Sequence, residues 1–105
     1  MYVKIYQYYI QKDKAEEYLY MQQKATAIYE RYLDVHIMFL NSQVDVTKWV
    51  EIARYKDEEE YIKSINIINH EKEIKELFAL FQTFLVADKS EVQEENFIER
   101  IVKKM

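Results

Sequence analysis

The sequence contains neither glycine nor proline in 105 residues, and this restricts the backbone more than any other feature of the chain. Glycine is the usual residue where the backbone takes a positive φ or approaches a phosphate closely. The P-loop, the dinucleotide-binding fingerprint and the nucleophile elbow all require it, so the sequence excludes these three sites. Turns must instead be made by Asn, Asp and Ser, and we expect those residues to supply any positive φ that the fold needs.

The overall composition is typical of one soluble domain. Half of the residues are hydrophobic, 32% are charged and the net charge is −4, so the clustered Lys and Arg of a nucleic-acid-binding protein are missing. Apolar runs reach only about six residues, too few to span a membrane. The absence of cysteine excludes disulfides and thiol chemistry. The N-terminus lacks the pattern of a signal peptide. We therefore predict a cytoplasmic protein without a nucleic-acid or membrane partner.

Three segments have the composition of β-strands. Val35–Leu40 and Thr47–Tyr55 are rich in β-branched and aromatic residues, and the turn formers between them predict an antiparallel pair. Tyr2–Ile10 predicts an earlier strand, whose alternation places Val3, Ile5, Gln7 and Tyr9 on one face and Tyr2, Lys4, Tyr6, Tyr8 and Ile10 on the other. Both faces are largely apolar or aromatic, so we expect this strand to be covered on both sides.

Helical patterns lie on both sides of the strand pair. Apolar residues at helical spacing predict a first helix over residues 14–33, with Asp13 as its N-cap and Glu16 completing a capping box. The acidic run at residues 57–60 begins the next helix, where negative charge complements the helix dipole. We expect a break near Asn69, which would cap a further helix. Residues 94–102 fit either a strand or a helix, and we predict a strand because the topology otherwise lacks its fourth.

The predicted order β-α-β-β-α-β is the ferredoxin-like plan of an α+β domain, with a four-stranded antiparallel sheet and helices on one face. Tyr2–Ile10 with the following Lys12-Asp13-Lys14-Ala15-Glu16-Glu17-Tyr18, and Trp49–Tyr61, in which a strand leads into an acidic-capped helix, resemble the dimeric α+β barrel superfamily. That superfamily includes antibiotic-biosynthesis-monooxygenase-like proteins, haem-degrading monooxygenases and NIPSNAP-type proteins. The resemblance implies one domain over residues 1–105.

The resemblance also implies a homodimer, because members of this superfamily pack two sheets face to face into a barrel. The amino-acid pattern supports the same expectation. A sheet with helices on one face leaves its other face bare, and here both faces are apolar. Soluble monomers rarely expose an apolar patch of that kind.

Five residues on the predicted strands are candidates for a small-molecule site. Glu51 shares a strand face with Trp49, and a carboxylate in mid-strand lies at a sheet edge or in a polar pocket, since unpaired burial is costly. Tyr6 and Tyr8 could add phenol donors to the same space, with Trp49 as an aromatic wall or as plain core. His36 is either a general base or ligand contact, or a hydrogen-bonded histidine of the core or rim.

The haem-degrading relatives carry an Asn on the first strand and a Trp and a His in the second helical region. Here Tyr6 and Gln7 lie near the Asn position and Tyr61 lies near the Trp position. His70 lies close to the expected His, although its spacing from Tyr61 does not match. The resemblance therefore gives haem poor support without excluding it, and the cofactor stays unknown. His70 remains a candidate ligand contact, with a solvated or capping residue as the alternative.

Two functions stay open from the sequence. The chain could hold a site between sheet and helices that binds or oxidises a small aromatic or hydrophobic molecule, as a monooxygenase-like enzyme does. It could instead be a non-catalytic dimeric structural or interaction module. No nucleophilic triad can be assembled, and no ligand spacing supports a metal site. The substrate, and whether the protein is an enzyme, are not determined by the sequence.

Overall fold

The computed structural model describes residues 1–103, and within them it has the predicted order of elements. The strands and helices are β1 (Tyr2–Tyr9), α1 (Ala15–Glu30), β2 (Val35–Asn41), β3 (Lys48–Tyr55), α2 (Glu58–Ile68), α3 (Lys72–Phe84) and β4 (Gln93–Ile98). Short 3-10 turns cover Lys12–Lys14 and Ala87–Lys89. The break near Asn69 is confirmed, because α2 and α3 are separate helices. None of the helices in the described part is long and apolar enough to cross a membrane.

The four strands form one antiparallel sheet in the order β2-β3-β1-β4, which confirms the ferredoxin-like plan. Helices cover one face of this sheet. That face carries Tyr8, Trp49 and Ala53, which form the buried core together with Tyr18 and Met21 of α1. Side chains of a strand alternate between the two faces. The register of β1 and β3 therefore decides which residues meet the helices.

The opposite face, which we call the outer face, is apolar and is left uncovered by the helices. Ile5 of β1 lies opposite Ile52 of β3, and Ile52 lies opposite Met38 of β2. Leu40 and Val50 form the next cross-strand pair. Met38 is 51% exposed and Leu40 is 44% exposed. The two apolar faces predicted from the alternation of β1 are therefore present, but the helices cover only one of them.

No residue in 1–103 has a positive φ, so the turns do not use the left-handed region at all. In the β2–β3 turn, side chains supply the bonds that close the chain. Ser42 Oγ accepts from the backbone N–H groups of Val44 and Asp45, at 3.2 and 3.0 Å. Asp45 Oδ1 accepts from the Thr47 N–H at 3.0 Å. These local hydrogen bonds from side chains close the turn without the positive φ that a glycine would supply.

The predicted capping box of α1 is wrong. Asp13 lies inside the 3-10 turn that precedes α1, the N-cap is Lys14, and no side chain caps this helix. The reason is a contact with a distant part of the chain, the end of α3. The backbone N–H of Gln11 donates to the Phe84 carbonyl at 2.8 Å, and its Nε2 donates to the Thr83 carbonyl at 3.0 Å. This anchor fixes where the turn begins and places Asp13 within it.

The predicted cap at Asn69 is also wrong. Asn69 ends α2, and Glu71 is the N-cap of α3. Asp57, at the start of the acidic run, does cap α2. Its Oδ1 accepts from the Glu60 N–H at 2.7 Å.

The fourth strand is confirmed for residues 94–98, whereas residues 99–102 lie outside it. All six residues of β4 are exposed, so burial of β4 side chains does not hold the strand in place. A buried lysine of β1 does so instead. Lys4 Nζ donates to Asn96 Oδ1 at 2.7 Å and pairs with Glu94 at 2.7 Å. Together with the ladder to β1, this pair fixes β4 at the sheet edge.

The two aspartates give a test of the caps. Replacing Asp57 by Ala removes a charged N-cap, and we expect a loss of about 1 kcal/mol in the free energy of unfolding. The same change at Asp13, which caps nothing, should stay within about 0.5 kcal/mol of the parent protein. Urea denaturation of both variants measures the difference. Equal losses would contradict the cap assignment.

Candidate functional site

A cavity of about 580 Å³ lies between the helix-covered face of the sheet and helices α1 and α3. This volume is within the range of about 300–1,000 Å³ that small-molecule sites occupy. Its wall includes six aromatic rings, which come from β1, β3, α1 and α3: Tyr6, Tyr8, Tyr29, Tyr55, Phe78 and Phe81. Polar side chains also line it, among them Gln22 and Glu51. The cavity therefore combines an apolar body with a few hydrogen-bonding groups.

The carboxylate of Glu51 is held by two donors from different elements. Tyr8 of β1 donates its hydroxyl to Glu51 Oε1 at 2.9 Å, and Gln22 of α1 donates from Nε2 to the same oxygen at 3.3 Å. Tyr8 also hydrogen-bonds with Tyr18 of α1. Because Tyr8 gives its only hydroxyl proton to Glu51, Tyr18 must be the donor in that second bond. A chain of hydrogen bonds thus runs from Tyr18 through Tyr8 to Glu51.

Glu51 is the only side chain with a formal charge in the described wall of the cavity. Burial raises its pKa to about 7, although the hydrogen bonds from Tyr8 and Gln22 act to lower it. Burial also raises the pKa of Tyr8 well above its usual range, with a further contribution from the Glu51 charge. The phenol therefore stays protonated while Glu51 exchanges a proton near neutral pH. A carboxylate poised in this way suits general acid–base chemistry.

The structure brings three of the candidate residues together and leaves three apart. Tyr6, Tyr8 and Glu51 all line the cavity. Trp49 lies on the same sheet face but packs against Tyr18, with ring centroids 4.8 Å apart, and does not line the cavity. His36 pairs with Arg54 of β3, and alternation along both strands places this pair on the outer face, where His36 is exposed. The sheet therefore separates the imidazole of His36 from Glu51.

His70 also lies away from the cavity. It is exposed just beyond the end of α2, where its Nδ1 is 2.6 Å from the Asn66 carbonyl oxygen. Tyr61 packs against Tyr55, with centroids 4.7 Å apart, and is not part of the cavity wall. No histidine lines the described cavity, so its residues do not fit a haem held by an imidazole ligand.

The helical half of the site was missed by the sequence reasoning. Tyr29 of α1 and Phe78 and Phe81 of α3 recur with other apolar residues at helical spacing, and in such a pattern a core residue and a site residue look alike. Gln22 carried a usable signal: it follows Met21 and lies four residues after Tyr18, so a polar amide falls on a buried helix face. A polar group there needs a partner. That partner is Glu51.

The fold of the chain is shared with proteins of known structure. No protein-family model matches the sequence, and no curated protein sequence matches it. Solved structures do match over nearly the whole chain. A NIPSNAP domain protein from Burkholderia xenovorans has a TM-score of 0.76 at 13% identity, with 100% of both chains covered. The chain therefore shares the fold of this NIPSNAP domain protein.

Two further structures of this fold are named as oxygenases. SnoaB, a cofactor-independent oxygenase from Streptomyces nogalater, has a TM-score of 0.72 at 10% identity, with 96% of this chain and 94% of that chain covered. An antibiotic biosynthesis monooxygenase has a TM-score of 0.72 at 14% identity, with 96% of this chain and 100% of that chain covered. At these identities the likeness establishes the fold alone.

The raised pKa of Glu51 predicts how stability changes with pH. The folded protein holds the proton up to about pH 7, whereas the unfolded chain releases it near the ordinary value of 4.5. The contribution of Glu51 to stability is therefore fully present below its pKa in the unfolded chain, and it is lost as the pH rises through its pKa in the folded protein. We expect the free energy of unfolding to fall by on the order of 2–3 kcal/mol between about pH 5 and pH 8.

Denaturation curves over that pH range measure the fall, and Glu51→Gln is the control, because it keeps the shape of the side chain and removes its proton. The variant should lack this part of the pH dependence. Tyr8→Phe should move the carboxyl titration to higher pH, since it removes a bond that lowers the pKa. A parent protein with the same pH profile as Glu51→Gln would contradict the assignment.

Proposed function

We propose that the cavity binds a small aromatic molecule and that Glu51 transfers protons to and from it, as in a monooxygenase-like enzyme. One observation carries this proposal: a carboxylate with a pKa near 7 lies in the wall of an aromatic cavity of about 580 Å³. The rings of the wall match a planar apolar ligand, and the carboxylate can act on an acidic proton of that ligand.

The arrangement of donors around Glu51 supports this role. Both protein donors, Tyr8 and Gln22, reach the same oxygen, Oε1. Within the described residues, no side chain donates to Oε2 at hydrogen-bond distance, and Oε2 is not among the buried polar atoms that lack a hydrogen-bond partner. The carboxylate is thus held in orientation by one oxygen while the other is available to a ligand.

A balanced reaction follows from this geometry, with dioxygen as the co-substrate. Glu51 takes a proton from an activated CH₂ group of the ligand, and the carbanion that remains donates electrons to dioxygen and forms a C–O bond. Protonated Glu51 returns its proton to the peroxide, which loses water and leaves a carbonyl. The net change is CH₂ and O₂ to C=O and H₂O. That SnoaB, with the same fold, is a cofactor-independent oxygenase supports this reaction class.

The ketone 2-tetralone provides a test of the proton-transfer step, because its benzylic CH₂ next to the carbonyl is acidic and its bicyclic ring system suits the cavity. We expect the protein to accelerate exchange of these protons in anaerobic D₂O above the buffer rate, as followed by NMR. Removing a general base typically costs about 10²–10⁴-fold, so Glu51→Gln should lose most of the acceleration. Oxygen uptake after air is admitted reports the second step separately.

His70→Ala is the control for the exchange assay, because His70 is exposed beyond the end of α2 and away from both the cavity and the outer face, and the variant should exchange like the parent. Equal exchange rates in the parent and in Glu51→Gln would contradict the proposal. If 2-tetralone and other aromatic ligands neither bind nor exchange, the non-catalytic dimeric module becomes the better description. Exchange without oxygen uptake would retain Glu51 as the base but remove the oxygenase step.

We also propose that the protein is a homodimer in which the outer faces of two sheets pack together. The outer face carries Ile5, Met38, Leu40, Val50 and Ile52 in adjacent cross-strand positions, and the helices leave it bare. Burial of this apolar surface against a second copy would remove it from water. The same arrangement is the one that the superfamily resemblance implies.

A pair of isoleucine variants tests the dimer. Ile52→Lys places a charge in the middle of the outer face, and we expect it to shift the protein from dimer to monomer in sedimentation velocity at micromolar concentration. Ile62→Lys makes the same change on α2, at a side chain that is 52% exposed, and should leave the dimer intact. A parent protein that sediments as a monomer would refute the proposal.

A further inference from the structure

The cavity contains a carboxylate without a positive counter-charge. The side chains that line it include no Lys, Arg or His within the described residues. The titratable groups that face Glu51 from the neighbouring elements are all phenols, with pKa values raised by burial: Tyr6 and Tyr8 from β1, Tyr18 and Tyr29 from α1, and Tyr55 from β3. Lys4, the buried cation of β1, is already paired with Glu94 at 2.7 Å. Ionised Glu51 therefore has only neutral partners in this space.

The rest of the wall favours positive charge as well. The faces of aromatic rings carry negative electrostatic potential and attract cations, and this attraction strengthens when the cation is removed from water. Tyr29, Phe78 and Phe81 are among the rings that line the cavity together with Glu51. The free oxygen of Glu51 supplies an acceptor for an N–H donor inside this aromatic wall. A cation would thus meet both a full negative charge and several ring faces.

We propose that the ligand of this cavity is a cationic arylalkyl amine, whose ammonium group pairs with the free oxygen of Glu51 while its ring packs against the aromatic wall. This inference rests on the proposed function only in that the cavity binds a small molecule, and it does not depend on oxygen chemistry. Carboxylate and phosphate ligands are disfavoured, since they would place a second negative charge beside Glu51.

The pairing links ligand binding to proton release. Burial raises the pKa of Glu51 to about 7, and a cation beside the carboxylate lowers that pKa. Amine binding near neutral pH should therefore release protons from Glu51, and affinity should rise with pH until Glu51 is fully ionised.

Three ligands with the same ring and different charge test the inference: 2-(1-naphthyl)ethylamine, 2-(1-naphthyl)ethanol and 1-naphthylacetate. Isothermal titration calorimetry of the purified protein at pH 7 gives the three affinities, and repeating the amine titration in phosphate and in Tris gives the protons released. We expect the amine to bind roughly tenfold more tightly than the alcohol, with the acetate weakest. In Glu51→Gln the amine should lose most of its advantage over the alcohol, keeping only the part that the ring faces supply, and amine binding should release no proton.

Each outcome of the titrations bears on the inference. Equal affinity for amine and alcohol in the parent would overturn the selection for cations and leave the proposed function in place. An amine preference as large in Glu51→Gln as in the parent would overturn the role of Glu51. If none of the three ligands binds, the inference fails, and the tetralone exchange then decides the proposed function independently. The comparison of ligands and the proton count use the parent protein, so they hold even if the variant folds poorly.

Discussion

The register between β1 and β3 is the constraint on which the rest of the molecule depends. It places Tyr6 opposite Glu51 and Tyr8 opposite Trp49, so a carboxylate and two phenols share the face that the helices cover. A shift of one residue would turn Glu51 to the outer face and bring Val50 inward. The cavity, its hydrogen-bond chain and the apolar outer face would all be lost together. The hydrophobic alternation of both strands disfavours such a shift, because it would expose the core residues.

Within that frame, Glu51 is a destabilising residue that the surrounding structure only partly compensates. Tyr8 and Gln22 donate to one oxygen, and Tyr18 supports Tyr8 from behind. The hydrogen bonds from these neutral donors stabilise the ionised carboxylate less than the water that burial removes. The raised pKa of Glu51 reflects this net destabilisation of the charge. An apolar side chain would fit an aromatic core at lower cost. Groups kept in such unfavourable surroundings occur most often at binding and catalytic sites.

Particular residues show how far reasoning from the sequence reaches. Alternation along β3 correctly put Glu51 on the same face as Trp49, and alternation along β1 correctly put Tyr6 with Tyr8. Applied to β2, the same rule places His36 with Met38 and Leu40, which share the outer face in the structure. The contact between Glu51 and Gln22 could not be predicted from the sequence, because it joins a strand residue to a helix residue 29 positions earlier in the chain. The cap at Asp13 was mispredicted for a similar reason, since Gln11 binds the end of α3.

The sequence by itself determined the order of the elements and the face on which each strand residue lies. Both follow from local periodicities, which depend only on backbone geometry and on the separation of apolar from polar residues. Tertiary structure alone decided three further features: the cavity between sheet and helices, the pKa of Glu51, and the position of β4, which Lys4 anchors through Glu94 and Asn96. Each of these depends on distances between elements that are far apart in the chain. Local patterns do not encode such distances, because they arise only when the helices pack onto the sheet.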